Sequence, residues 1–126
     1  MITHPTAAEL TEAVADWIES VRPSLTGRDA FLARVAANAL GAVQRELTQG
    51  PAAQEAAVHR LQSLMGITGA YPELIEELCR RLQAGEMTVD TPGLLALLRA
   101  DVLDRLAIDQ PTYAYEGRPD LAARSA

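Results

Sequence analysis

The sequence predicts an all-α protein, a compact bundle of about five helices with an irregular C-terminal tail. Apolar residues recur at spacings of three and four along most of the 126 residues, which is the period of an amphipathic helix. Gly and Pro divide these stretches. Hydrophobic residues make up 48% of the chain and aromatic residues 4%, a composition suited to close packing of aliphatic helices. We expect residues 1–110 to form a single helical domain and residues 111–126 a tail.

The first helix is predicted to begin at Thr6 and to end at Pro23. Residues 6–9 have the form of a capping box, in which the Thr6 hydroxyl accepts a hydrogen bond from a free amide and Glu9 reaches back. The apolar side of this helix carries Leu10, Val14, Trp17, Ile18 and Val21.

A second helix is predicted from about Arg28 to Thr48, because Gly50 and Pro51 together are a strong stop signal. Its apolar side mixes large residues with alanines, and alanines let a neighbouring helix approach closely. We therefore expect it to be the central helix of the bundle. The apolar residues are Phe31, Leu32, Val35, Ala36, Ala39, Val43 and Leu47.

Three further helices are predicted in the rest of the chain. One covers about residues 52–65, and the next starts at Pro72 and ends before Gly85, a natural left-handed C-cap. The last helix is predicted to start at Thr91-Pro92. Its leucines cover more than half of the circumference, which is more than one buried face needs. Either other elements wrap this helix on several sides, or it offers a second apolar surface to another chain.

Charge and composition exclude several classes of function. The net charge is −6 and the basic residues, all arginine, are scattered, so we expect no nucleic-acid partner. The chain has no hydrophobic run of about 20 residues, so no membrane span is predicted. The single Cys79 is predicted to be a half-buried structural thiol and fits a reducing compartment. With no signal-type N-terminus, the expected location is the cytoplasm.

No pattern of catalytic or metal-binding residues is found in the sequence. His4 and His59 belong to no ligand motif, and no phosphate-binding glycine loop is present. No Ser or Cys is arranged with a His for nucleophilic catalysis. We therefore predict a protein that is not an enzyme and that needs no metal or cofactor.

Polar residues that interrupt the apolar stripes are the main candidates for a site. On the last helix Asp101 and Arg105 are spaced i, i+4 and point near its leucines. Because buried charges must be paired, we expect a polar network that links the second and last helices. An alternative is a partly exposed cluster that contacts a partner protein or an anionic ligand, with Arg34, Arg45, Arg80 and Arg81 as contacts. The candidate residues are Arg34, Asn38, Arg45, Glu46, Asp101 and Arg105.

The segment after the last helix is a second candidate. Asp109 and Gln110 stand ahead of a proline, where they can cap the helix or latch the tail onto the body. Tyr113 can bury its ring while its hydroxyl stays hydrated. We predict a structural latch, with a docking element for a partner as the alternative.

Five short stretches of the sequence together carry a resemblance to a known family: HPTAAEL (residues 4–10), RVAAN (34–38), REL (45–47), LC (78–79) with GE (85–86), and LAIDQP (106–111). They resemble a bacterial family of small helical proteins described as a domain of unknown function. The resemblance covers nearly the whole chain in the right order. Such proteins are typically encoded beside aminoglycoside-phosphotransferase-like kinases and acyl-CoA dehydrogenases of hydroxyacyl-CoA catabolism.

The resemblance implies a non-catalytic accessory subunit of such a kinase, and it carries over no catalytic residue. The residues themselves leave two alternatives open. One is a self-associating helical module that closes a homodimer through its wide apolar face. The other is a small-molecule-binding domain that uses the polar cluster.

Overall fold

A computed structural model describes residues 3–113, and this part of the chain is helical with no β-strand. Its four α-helices confirm the predicted all-α class. A 3-10 turn, Arg22–Ser24, follows the first helix. The part of the predicted tail beyond residue 113 lies outside the described residues. The helices are α1 (Ala7–Val21), α2 (Gly27–Met65), α3 (Tyr71–Gln83) and α4 (Leu94–Asp109).

The prediction of about five helices is wrong by one, because α2 continues through the predicted stop at Gly50-Pro51. Proline removes one helical hydrogen-bond donor and usually clashes with the residue before it. Here that residue is Gly50, which has no Cβ to clash with the proline ring. Gly50 thus removes one of the clashes, while the lost hydrogen bond and the crowding of the ring against the Leu47 carbonyl remain. The predicted second and third helices are a single helix of 39 residues.

Two predicted helix ends are confirmed in atomic detail. The Thr6 amide donates to Glu9 Oε2 at 2.6 Å, and the Glu9 amide donates to Thr6 Oγ1 at 3.2 Å, which completes the capping box. At the end of α3, Gly85 has φ 73°, and the Glu86 amide donates to the Arg81 carbonyl at 2.9 Å. A left-handed residue at this place closes the last carbonyls of the helix.

The start of α4 lies later than predicted, at Leu94. The Thr91 hydroxyl accepts a hydrogen bond from the Thr88 amide at 2.9 Å, so it serves the preceding turn rather than the helix. Gly93 has φ 87°, which is incompatible with a helix that begins at Thr91-Pro92. The glycine, with its left-handed backbone, therefore sets the first residue of α4.

The chain divides into two compact units, Met1–Pro51 and Ala52–Ala126. The described part of the second unit has a closed hydrophobic core with Leu61, Leu74 and Leu94 at its centre. The described part of the first unit contains no buried residue. The remaining residues of the core cluster are Met65, Leu78, Met87 and Leu97.

Candidate interaction surface

The helix α1 carries an apolar stripe that the folded chain leaves exposed. Leu10, Val14 and Trp17 share one side of the helix, and Trp17 is 64% exposed. Thr11 and Ala15 lie on the half-buried side of the same helix. At 100° per residue, this side is roughly 100° around the helix from Leu10, Val14 and Trp17. Leu10, Val14 and Trp17 therefore lie beside the half-buried face of α1, whereas the bulky Ile18 and Val21 are themselves half-buried.

The first part of α2 shows a stronger separation between bulk and burial. Its half-buried positions are mostly small or polar, whereas its large aliphatic and aromatic residues are exposed, with Phe31 at 63%. The two faces lie roughly 150° apart on the helix. The prediction of a covered central helix is therefore wrong for this segment. Half-buried are Ala30, Ala33, Ala37, Leu40 and Gln44, and exposed are Phe31, Leu32, Val35, Val43 and Leu47.

Three of the predicted polar residues border this exposed face of α2, and a fourth, Glu46, lies within it. Arg34 and Asn38 are exposed and Arg45 is half-buried on the same edge of the helix. The Arg45 guanidinium lies against the helix backbone, since a Cβ added at Gly41 would be 3.2 Å from its Nη1 atom. Glu46 lies farther round the helix, and its carboxylate similarly covers the backbone at the glycine four residues later. The edge beside the apolar face is thus mainly basic.

In the second unit, α4 keeps an exposed aliphatic stripe even though the core beneath it is closed. Leu95 is 57% exposed and Val102 is 56% exposed, with Leu98 between them on the same side. The buried side of α4, with Leu94 and Leu97, lies roughly 100° away. Of the two alternatives for the leucine-rich helix, the structure therefore has the second apolar surface. We call Leu95, Leu98 and Val102 the α4 stripe.

The polar residues of α4 are paired differently from the prediction. Arg60, on α2, donates from Nε and Nη2 to Asp101 Oδ1 at 2.9 and 2.6 Å. The same Nη2 donates to Asp104 Oδ2 at 2.7 Å. These hydrogen bonds raise the pKa of Arg60, with the bond to Asp104 contributing most. Arg105 is exposed.

Arg60 was missed by sequence analysis, although a signal was present. It stands one residue before the buried Leu61, at the edge of the apolar stripe of α2. A charged residue at such an edge can reach past the stripe to a neighbouring helix, because a long side chain keeps its head polar while its stem packs.

An open groove of about 480 Å³ adjoins Arg60 at the start of α4. Its polar lining includes His59, Arg60 and Ser63, and its apolar lining includes Leu64 and Leu97. The charge of Arg60 is already neutralised by the carboxylates of Asp101 and Asp104, so it is not available to bind an anionic ligand. The groove thus offers shape and apolar surface rather than a strong electrostatic site.

The two arginines proposed as alternative anion contacts on α3 are committed to ion pairs. Arg80 Nη2 lies 2.8 Å from Glu77 Oε1 and 3.0 Å from Glu86 Oε2. Arg81 Nε lies 2.7 Å from the same Glu77 oxygen. The two guanidinium groups, Arg80 first, lower the pKa of Glu77 to about 2. These ion pairs stabilise the end of α3, and the two guanidinium groups already have carboxylate partners, so they are not arranged to bind an external anion.

The candidate tail residues lie at the end of α4. Asp109 is its last residue, and the Gln110 amide donates to the Leu106 carbonyl at 2.8 Å. The Tyr113 amide donates to the Gln110 carbonyl at 2.9 Å, while its side chain is 55% exposed.

The expectation of a half-buried Cys79 is wrong, since the thiol is exposed on α3.

Within residues 3–113, no group of three His, Cys, Asp or Glu side chains is placed to hold a metal ion. None of the helices in the same range combines the length and hydrophobicity that a membrane span requires.

Comparison with known proteins gives one match. Residues 23–113 match a domain of unknown function, DUF6285. The matched range contains α2, α3 and α4, and α1 precedes it. No curated protein and no solved structure matches the chain. Because the match covers well over half of the sequence, the chain belongs to the DUF6285 family.

Proposed function

We propose that this chain is a non-catalytic accessory protein that binds another polypeptide through the α4 stripe. One observation carries the proposal: Leu95, Leu98 and Val102 are exposed on one side of a helix whose buried side lies roughly 100° away. A unit that closes its own core does not need these residues for folding. A contiguous aliphatic stripe on a folded unit is typical of a protein-binding surface.

The partner that we propose is a phosphotransferase-like kinase of hydroxyacyl-CoA catabolism. This part of the proposal rests on the resemblance of the sequence to a family encoded beside such kinases. The α4 stripe lies within the residues that match DUF6285, so the proposed surface belongs to the domain that defines the family. The polar clusters of the second unit, around Arg60 and Glu77, are internally ion-paired, which suits a structural role rather than catalysis.

The test is co-purification of the chain with a phosphotransferase-like kinase of the kind encoded beside the proteins that it resembles, together with an assay of that kinase. We expect the two proteins to co-elute and the kinase to be more stable or more active in the complex. The double variant Leu95→Glu/Val102→Glu places two charges on the stripe and should abolish co-elution. Failure of the wild-type chain to co-elute, with unchanged kinase activity, would overturn the proposal.

A matched control comes from the loop between α3 and α4. Val89 is 69% exposed, so Val89→Glu makes the same chemical change on an exposed residue outside the stripe. The control should bind the kinase as the wild type does. If the control and the stripe variant lose binding to the same extent, the α4 stripe is not the docking surface.

A second candidate function is small-molecule binding in the groove beside Arg60. The groove volume of about 480 Å³ is in the range of pockets that hold small ligands. The variant Ala96→Trp would fill it from α4 without touching the α4 stripe. Retained kinase binding by this variant, with loss of a ligand detected by thermal-shift screening, would favour this second function.

A further inference from the structure

We propose that the start of α2 and the turn before it form a binding site for a small aromatic anion, in which a carboxylate or phosphate group is attached to a flat apolar ring. The site is an open cleft of about 520 Å³, a volume in the range of small-ligand pockets. It lies within the first unit and uses neither the α4 stripe nor the groove beside Arg60. The cleft is lined by Arg22, Pro23, Leu25, Ala30, Phe31 and Arg34.

Two neighbouring segments of the chain supply the walls of this cleft. The 3-10 turn that contains Arg22 supplies one wall, and the first two turns of α2 supply the other. Between them Gly27 has φ 57°, a left-handed backbone that favours glycine and lets the chain change direction before α2. On α2, Phe31 and Arg34 are three residues apart, which is roughly 60° around the helix. An aromatic ring and a guanidinium group therefore face the cleft from the same wall.

The apolar part of the cleft suits a flat ring. Leu25 and Ala30 are half-buried and give the cleft an aliphatic base, whereas the Phe31 side chain is 63% exposed. An exposed phenyl ring binds another aromatic ring by offset stacking or edge-to-face contact. The apolar lining therefore has a use for an aromatic body, which an inorganic anion does not have.

The charge of the cleft is positive, although the net charge of the chain is −6. Arg34 is exposed and takes part in no ion pair within residues 3–113. Arg22 donates from Nε and Nη2 to Glu19 Oε2 at 3.1 and 2.9 Å, so its charge is partly offset. Arg34 is thus the main anion contact, because a guanidinium group without a partner can bind a carboxylate or phosphate through two parallel hydrogen bonds. This cleft differs in that respect from the groove beside Arg60.

The test is titration of the full chain with naphthoate and with naphthyl phosphate, followed through the amide chemical shifts of the protein. The two probes share a ring and differ in the anionic group, so the tighter one identifies which anion the cleft prefers. We expect saturable shifts at residues 22–34. Naphthylmethanol lacks the charge and inorganic phosphate lacks the ring, and each should bind at least about tenfold more weakly.

Two outcomes of this titration would overturn the proposal. One is the absence of saturable shifts at residues 22–34 with both aromatic anions. The other is equal binding of naphthylmethanol and naphthoate, since the guanidinium groups would then contribute nothing.

Arg34→Gln tests the anion contact. We expect this variant to bind naphthoate about tenfold more weakly, because it loses a charge-assisted hydrogen-bonding group. Arg28→Gln is the matched control, since Arg28 is an exposed arginine at the start of the same helix and does not line the cleft. It should bind naphthoate as the wild type does. An equal loss in both variants would reflect the general charge of this helix end and overturn the site.

Phe31→Ala tests the aromatic contact. It should weaken naphthoate binding about fivefold through the loss of ring contact. Leu32→Ala is the matched control, because Leu32 is also exposed, at 45%, and lies outside the cleft. Circular dichroism checks that both variants stay helical. Unchanged naphthoate binding by Phe31→Ala would overturn the role of the ring.

Two further variants separate this site from the functions proposed above. Leu95→Glu/Val102→Glu should bind naphthoate as the wild type does while it loses the kinase. Ala96→Trp, which fills the groove beside Arg60, should also leave naphthoate binding unchanged. Loss of naphthoate binding in Ala96→Trp would assign the ligand to that groove and overturn the site in the first unit.

Discussion

Arg60 holds Asp101 through two hydrogen bonds to one carboxylate oxygen, from a position 41 residues earlier in the chain. The Arg60 side chain is 27% exposed and the Asp101 side chain is 25% exposed, so the pair is partly shielded from water. The second carboxylate, of Asp104, binds the same guanidinium from one turn further along α4. A single arginine thereby fastens the second half of α2 to the middle of α4.

Removal of Arg60 should therefore destabilise the protein more than removal of either carboxylate. Arg60→Met leaves two carboxylates near each other without their counter-ion, and we expect a loss of about 2 kcal/mol in the free energy of unfolding. Asp101→Asn leaves the arginine its bond to Asp104 and should cost about 1 kcal/mol. Urea unfolding measures both values.

Arg105→Gln is the matched control for these changes. Arg105 is exposed on the same helix and has no ion-pair partner among the residues that the structure describes. The expected change in its unfolding free energy is below about 0.5 kcal/mol. A control variant that is destabilised as much as Arg60→Met would contradict the assignment of the stabilising contact to Arg60.

Leu61 and Leu95 should respond to truncation in opposite ways, although both are helical leucines. Leu61 is fully buried and Leu95 is 57% exposed. Leu61→Ala should cost about 2–5 kcal/mol because it leaves a cavity in the core, whereas Leu95→Ala should cost well under about 1 kcal/mol. Thermal unfolding of the two variants checks the difference. A large loss with Leu95→Ala would mean that the α4 stripe is needed for folding.

The features of the fold that depend on neighbouring residues could be predicted from the sequence. The capping box at Thr6 and the left-handed Gly85 are decided within a few residues, and both are observed. The passage of α2 through Pro51 could not be predicted, because it depends on balancing one lost hydrogen bond against the packing of a long helix. A stop signal such as Gly50-Pro51 reflects only the lost hydrogen bond and carries no information about the packing of the helix.

The candidate site shows the same limit at longer range. A helical spacing of four suggests that Asp101 and Arg105 are related, but a pair on an exposed helix face is weak. The partner that Asp101 takes is Arg60, and this choice depends on how α2 and α4 pack. The excess of leucine on α4 was evident from the sequence, whereas its division into a buried side and an exposed stripe required the tertiary structure.

Replacement of Pro51 by alanine should stabilise the helix α2. Pro51→Ala restores an amide that can donate to the Leu47 carbonyl and removes the intrinsic penalty of proline in a helix interior, about 3 kcal/mol. Because the structure already accommodates the ring, we expect a smaller gain of about 1 kcal/mol or more. Differential scanning calorimetry should show a higher Tm. A lower Tm would indicate that the native packing requires the proline ring.

Gly50→Ala is informative beside this change, because alanine also favours helix at the preceding position. Its Cβ would lie 3.0 Å from Glu46 Oε1, the end of a flexible side chain that can move away. It would also meet the proline ring that follows. We therefore expect Gly50→Ala to be destabilising in the wild-type background and stabilising in the Pro51→Ala background. Equal effects in both backgrounds would contradict the role of Gly50 in admitting the proline.

The ion-pair cluster on α3 should make stability depend on acidity in a defined range. The pKa of Glu77 is about 2 in the folded protein against an ordinary value of 4.5. Below about pH 4.5 Glu77 is protonated in the unfolded chain but still ionised in the folded protein. The contribution of its ion pairs to the free energy of unfolding is therefore complete above about pH 4.5 and is lost as the pH falls towards 2. Arg80 also lowers the pKa of Glu86, which acts in the same direction.

Glu77→Gln should remove most of this dependence. The variant should have a lower Tm than the wild type near neutral pH, and the difference should shrink as the pH falls from about 4.5 to about 2. Glu76→Gln is the matched control, since Glu76 is exposed and has no ion pair within residues 3–113. Its Tm should stay close to that of the wild type at every pH. A difference between Glu77→Gln and the wild type that does not change with pH would show that Glu77 stabilises α3 by packing rather than by its charge.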